Sequence, residues 1–224
     1  MNAVWRGIGF GVGVACSAAG HADGAALAKS GAGAAPACQT CHGAAGEGIA
    51  QAGFPRLAGL GASYMGRQLD AFANGTRVNT VMMPIAKALS AVDRAAVSAY
   101  YAALSVPAAS AAPATALPAA TLPSAAAPAS ATVGATLATA GRWADKLPAC
   151  EQCHGPGGRG VGPDFPALAG QSASYLANQL TAWKAGTRPP GPMGLAVVVA
   201  KKLSAAEVSA VAEHYAALPA KADR

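Results

Sequence analysis

Two five-residue segments hold the side chains best suited to chemistry. Each places two thiols three positions apart and an imidazole directly after the second thiol. The residues are Cys38, Cys41 and His42 in CQTCH, and Cys150, Cys153 and His154 in CEQCH. Such a group is able to bind zinc, to run a dithiol redox cycle or to hold a covalently attached haem. The surrounding sequence has to discriminate among these three chemistries.

The spacing of the two segments disfavours zinc and dithiol chemistry. Structural zinc sites usually take four ligands from two pairs about 15 to 20 residues apart. Here the pairs lie 112 residues apart, and each segment offers at most three plausible ligands. A thioredoxin-like dithiol needs strands around it, and no stretch shows convincing strand alternation. Haem attachment uses all three side chains, because two thiols add to the vinyl groups and the imidazole lies beneath the iron.

The two segments open two copies of one longer pattern. Residues 38–77 and 150–188 share FP.LAG, ASY, QL and GTR in the same order. Both copies then end alike, in LSAVDRAAVSAYYAAL at 89–104 and LSAAEVSAVAEHYAAL at 203–218. A repeat of this length is not a coincidence, so the chain is an internal duplication.

Each copy is predicted to be helical. Ser90 followed by Asp93, and Ser204 followed by Glu207, have the spacing of capping boxes at the start of the last helix of each copy. Large apolar residues recur at helical spacing after the ASY motifs. We therefore expect an all-α fold with two tandem domains, at 23–104 and 132–219.

The remaining segments are predicted to lie outside these domains. Residues 105–131 contain Ala, Pro, Ser and Thr without a charge, which is typical of a semi-extended linker. Residues 1–22 resemble an export signal, with Arg6 before a short apolar run and cleavage expected after Ala22. An uncleaved anchor and lipidation at Cys16 are the alternatives. Export predicts an oxidising compartment, the periplasm.

Two prolines make the pattern specific. Pro55 lies 13 residues after His42, and Pro166 lies 12 residues after His154, each preceded by phenylalanine. With the CxxCH segments, this pattern resembles class I cytochromes c, and the tandem arrangement resembles the two-haem cytochrome c4 group. The resemblance covers both copies, from about residue 24 to 218 apart from the linker.

The resemblance implies two covalently bound haem c groups, each inside a small helical bundle. The four cysteines would form the thioether links, and the two histidines would bind the irons. Each proline carbonyl would accept a hydrogen bond from the imidazole and fix its tautomer. A buried porphyrin would also explain how domains with only 5% aromatic residues fill a core.

In this family a methionine sulfur usually supplies the sixth ligand of the iron. In the first copy Met82 is the expected ligand, with the adjacent Met83 as the alternative. The second copy has Ala196 at the corresponding distance before its last helix, and its methionine is Met193, three residues earlier. We expect Met193 to bind the second iron, and the rival interpretation is a vacant or water-bound iron.

The charge pattern gives little support for nucleic-acid binding. The formal charge is +6, but the basic residues are scattered along the chain. Arg77 and Arg188, each in GTR, are candidates to pair with haem propionates, because arginine suits charge-assisted bonds to carboxylates.

These features together predict a periplasmic carrier of single electrons rather than an enzyme. Redox proteins would be its partners, with a quinol complex or a dehydrogenase as donor and a terminal oxidase as acceptor. Peripheral association with the membrane is compatible with this role. The alternative is a dedicated cytochrome subunit of a periplasmic dehydrogenase complex. A peroxidase or gas sensor with an open second haem is a further alternative.

Overall fold

The computed structural model describes residues 23–106 and 129–220. The expected export signal, including Cys16, lies outside the described residues, as does most of the expected linker. A helix begins at Ala129, three residues before the expected start of the second domain. In the described ranges, no helix is long and apolar enough to cross a bilayer.

Secondary structure in the described ranges is helical, with only isolated bridges in place of strands. The helices of the first half are α1 (Gly24–Ser30), α2 (Gln39–His42), α3 (Ala62–Ala73), α4 (Met82–Ala88) and α5 (Ala91–Ala103). Those of the second half are α6 (Ala129–Thr139), α7 (Glu151–His154), α8 (Ala173–Ala185), α9 (Leu195–Lys202) and α10 (Ala205–Ala217). The five helices of each half follow the same order, so the predicted duplication and all-α fold are confirmed.

The last helix of each half starts at a capping box, as predicted. In α5 the Ser90 hydroxyl accepts from the Asp93 backbone N–H, and the Asp93 carboxylate accepts from the Ser90 N–H. Ser204 and Glu207 make the same reciprocal pair at the start of α10. These bonds satisfy backbone donors that the first helical turn leaves free, so the position of each last helix is fixed locally.

The first and last helices of each half cross at a glycine. A Cβ added to Gly24 would lie 2.3 Å from the Ala96 carbonyl oxygen, and one added to Gly134 would lie 2.2 Å from that of Ala210. Any side chain at these positions would therefore push α1 away from α5 or α6 away from α10. The two glycines permit a backbone contact that closes one end of each domain.

Each half has its own apolar core around its last helix. Tyr101 of α5 and Tyr215 of α10 are buried at 3% and 0% exposure. In each half α3 or α8 packs against the last helix, so the CxxCH turn faces a space enclosed by helices.

Candidate haem sites

The short helices α2 and α7 bring both thiols and the imidazole of each segment to one cavity. The backbone N–H of His42 donates to the Cys38 carbonyl at 3.0 Å, and the backbone N–H of His154 donates to the Cys150 carbonyl at 2.9 Å. One helical turn thus spans each CxxCH segment. Both cysteines and the histidine of each segment line the same cavity, of about 490 Å³ in the first half and about 320 Å³ in the second.

Both imidazoles are held in one tautomer. The Nδ1 atoms of His42 and His154 each lie 2.8 Å from a proline carbonyl oxygen, that of Pro55 and of Pro166 respectively. Burial lowers the pKa of both histidines, so the neutral form is favoured near pH 7. A neutral imidazole that donates from Nδ1 carries its lone pair on Nε2, the state required for binding a metal.

The first thiol of each segment is also held in an uncharged state. Burial raises the pKa of Cys38 and of Cys150. The two segments lie in separate cavities, and in the described ranges no three His, Cys, Asp or Glu side chains cluster to hold a metal ion. The donor set of each cavity instead fits a porphyrin attached through two sulfurs and bound below by one imidazole.

The methionines of the two copies take different positions. Met82 is half-buried and lines the cavity of His42. Met193 was expected to occupy the equivalent place, but its side chain is 70% exposed and does not line the cavity of His154. Its backbone has φ 59°, between Gly191 and Gly194, which also have positive φ. This left-handed turn directs the side chain to solvent, and Ala196 lines the cavity instead.

The arginine of the first GTR motif bridges the two halves. Arg77 donates to Gln68 of its own half at 2.9 Å, and to Tyr175 and Gln179 of the other half at 3.2 and 2.5 Å. Its guanidinium also lies over the ring of Phe72, 4.4 Å from the centroid. Arg77 lines the cavity of the first half, at 6% exposure.

Arg188 makes the equivalent bridge in the opposite direction. It donates to Tyr64 and Gln68 of the first half at 3.0 and 3.2 Å, and it lies 3.9 Å over the ring of Trp183. Arg188 lines both cavities. The two GTR arginines therefore meet at one interface between the halves.

A third buried arginine was not predicted. Arg56 is 4% exposed, and it donates to the carbonyls of Ala58 and Ala169 at 2.5 and 2.9 Å. Its backbone exchanges two hydrogen bonds with the amide of Gln171. Burial lowers the pKa of Arg56 to about 10, so it stays charged near pH 7.

The buried arginines support the fit of an anionic group. In residues 23–106 and 129–220, none of the salt bridges involves Arg56, Arg77 or Arg188. Arg56 also keeps a buried Nε without a hydrogen-bond partner, as do the hydroxyls of Tyr101 and Tyr215. Buried charges are normally paired, so carboxylates from a bound group would complete the three arginines.

Comparison with known protein families finds the same domain twice in this chain. The family model described as Cytochrome c matches residues 22–105 and 131–216. A protein of Stutzerimonas stutzeri (strain A1501), called thiosulfate dehydrogenase electron acceptor, is 47% identical over 183 residues, which are 82% of this chain and 79% of that protein.

Two solved structures are also similar. A thiosulfate dehydrogenase (TsdBA) from Marichromatium purpuratum superimposes with a TM-score of 0.74 at 44% identity, over 88% of this chain and 40% of that chain. Reduced recombinant cytochrome c4 from Pseudomonas stutzeri gives a TM-score of 0.66 at 30% identity, over 81% and 93%. This chain therefore spans less than half of the first of these proteins and nearly all of the second.

Proposed function

Because the chain belongs to the cytochrome c family, with two tandem domains and two covalent haem c groups, we propose that it carries single electrons from a thiosulfate-oxidising dehydrogenase to a terminal acceptor in the periplasm. Its role is electron transfer between redox proteins rather than turnover of a substrate of its own. A terminal oxidase is the proposed acceptor.

The residues of each domain take defined roles in this proposal. Cys38 and Cys41 would hold the first haem through thioethers, and His42 and Met82 would bind its iron. Cys150, Cys153 and His154 would have the equivalent roles in the second domain. The carbonyls of Pro55 and Pro166 orient the two imidazoles, and the side chains of Arg77 and Arg188 pair with the propionates.

The interface between the halves is the observation that best supports electron transfer from one domain to the other. Six residues line both cavities, so the two haem sites are adjacent there. They are Leu60, Tyr64, Gln68, Tyr175, Gln179 and Arg188. One domain is thus able to receive an electron while the other delivers it, without separation of the halves.

The nature of the donor is supported by the comparisons. The relative from Stutzerimonas stutzeri is named an electron acceptor of thiosulfate dehydrogenase, and the similarity covers 82% of this chain. The proposal is tested by mixing the oxidised holoprotein with a thiosulfate dehydrogenase and thiosulfate, and following haem reduction optically. Reduction of both haems that requires enzyme and thiosulfate together supports it. Absence of reduction, with a mitochondrial-type cytochrome c reduced in parallel, refutes this donor.

One observation favours a dedicated subunit of the dehydrogenase. The Marichromatium purpuratum protein contains the similar region as 40% of one longer chain. Size-exclusion chromatography of the natively expressed protein separates the two cases, because a dedicated subunit co-elutes with its dehydrogenase and a mobile carrier elutes alone.

A further inference from the structure

The loops between GTR and the last helix differ in length between the two copies, but only on the C-terminal side of the methionine. Met82 follows Arg77 by five residues, and Met193 follows Arg188 by the same distance. Met82 precedes Leu89 by seven residues, whereas Met193 precedes Leu203 by ten. The second copy therefore has three additional residues, all between the methionine and the last helix.

The methionines of the two copies lie in different secondary-structure elements. Met82 is the first residue of α4, and its side chain lines the cavity of His42. Met193 instead lies in a 3₁₀ turn, Pro192–Gly194, and α9 starts only at Leu195. Of the two, only Met82 is placed by a helix that packs on the cavity.

The cavity wall on this side of the second domain is apolar. Leu195, Ala196 and Val199 of α9 line it, and neither a methyl nor an isopropyl group offers a lone pair to iron. Met193, the one sulfur in this loop, is 70% exposed. In this conformation the part of the His154 cavity that α9 forms is lined by carbon side chains.

We propose that the haem of the second domain has an exchangeable sixth coordination position, which accepts a small neutral gas molecule, while Met82 closes that position in the first domain. This inference rests on the two haem groups of the proposed function. A neutral diatomic ligand is favoured over an anion, because the α9 wall provides neither a charge nor a hydrogen bond. Carbon monoxide is a suitable probe, since it binds reduced haem iron.

The experiment begins with intact holoprotein whose haem content has been measured as two per chain. The protein is reduced and titrated with carbon monoxide while the visible spectrum is recorded. We expect binding to half of the haem. Binding to neither haem or to both would overturn the inference without affecting the assignment of the haems themselves.

Two substitutions identify the haem that binds. Met193→Ala is expected to leave the sulfur-to-iron absorption band of the oxidised protein and the carbon monoxide stoichiometry unchanged. Met82→Ala, the matched variant, is expected to abolish the band and to double the stoichiometry. A band that falls by half in Met193→Ala would show that Met193 binds the iron, and it would refute the proposal.

The loop length provides an independent test. Deleting residues 197–199 restores the seven-residue spacing of the first copy. In the folded, two-haem variant we expect the sulfur-to-iron band to double and carbon monoxide binding to disappear. A variant that retains binding to half of its haem would contradict the role given to the additional residues. The substitutions decide the proposal if this deletion does not fold.

Discussion

Replacement of Arg77 by methionine tests how the two domains are held together. The substitution keeps an unbranched apolar stem but removes the guanidinium, which bonds to Gln68 of its own half and to Tyr175 and Gln179 of the other. Arg77→Met should therefore weaken domain docking far more than it weakens the first domain itself.

The size of the effect follows from the two bonds that cross the interface. A hydrogen bond to a charged group contributes about 1.5 to 3 kcal/mol, so the loss of two costs about 3 to 6 kcal/mol. At about 1.4 kcal/mol per factor of ten, the ratio of docked to separated domains falls by roughly a hundredfold to about twenty-thousandfold. The unsatisfied amide and hydroxyl that remain at the buried interface act in the same direction.

Small-angle X-ray scattering of the intact holoprotein measures this change. We expect a compact wild type and a broader distance distribution in Arg77→Met, because the two halves would then separate. Arg188→Met should behave alike, because it makes the reciprocal bridge. Arg159→Met is the control, since Arg159 is exposed. Unchanged scattering in both interface variants would refute the assigned role of the arginines.

Three further predictions concern the second domain. Gly134→Ala should lower the thermal midpoint of the second domain strongly, because the new Cβ would lie 2.2 Å from the Ala210 carbonyl oxygen. Gly61→Ala, where a Cβ meets no atom within 4 Å, should change the midpoint of the first domain little. Equal effects of the two substitutions would contradict the crossing at Gly134. Ser204→Ala should reduce the free energy of unfolding by about 1 kcal/mol in denaturant titrations, and no loss would exclude a contribution from the cap. Hydrogen bonds from Ser204 hold the pKa of Glu207 below its ordinary value, so the stability it contributes is present at neutral pH and is lost as the pH falls through the carboxylate range. Glu207→Gln should therefore flatten the acid side of the stability profile, and an unchanged acid side would contradict this.

The features predicted correctly from the sequence depend on short-range patterns. A capping box needs only Ser204 and Glu207 at the right spacing, and the structure contains it. The CxxCH segment needs one helical turn to bring its side chains together, and α2 and α7 supply that turn. The duplication then extended each of these local assignments to the second copy.

The features that were missed depend on contacts between distant segments. Nothing local indicates that Arg77 would meet Tyr175, or that Arg56 would pair with Gln171 across the interface. These two pairs join residues 98 and 115 positions apart. The presence of tyrosine and arginine in both copies was a signal for a symmetric bridge, but Arg56 has Ala167 as its counterpart and so left no such signal.

The expectation that Met193 binds the second iron depends on the conformation of its loop. Counting back from the last helix identified Ala196, whereas counting forward from GTR identifies Met193 as the counterpart of Met82. A sequence shows that three residues have been inserted, but not whether a loop with Gly191 and Gly194 directs the sulfur inward. The backbone conformation decides this, and glycines make several conformations accessible.

Intact-mass spectrometry of protein secreted from a host able to attach haem decides whether each half carries a covalent haem. We expect one species, the processed polypeptide plus two covalently bound haem groups that survive denaturation. A bare polypeptide, or a chain with a single haem, would contradict it.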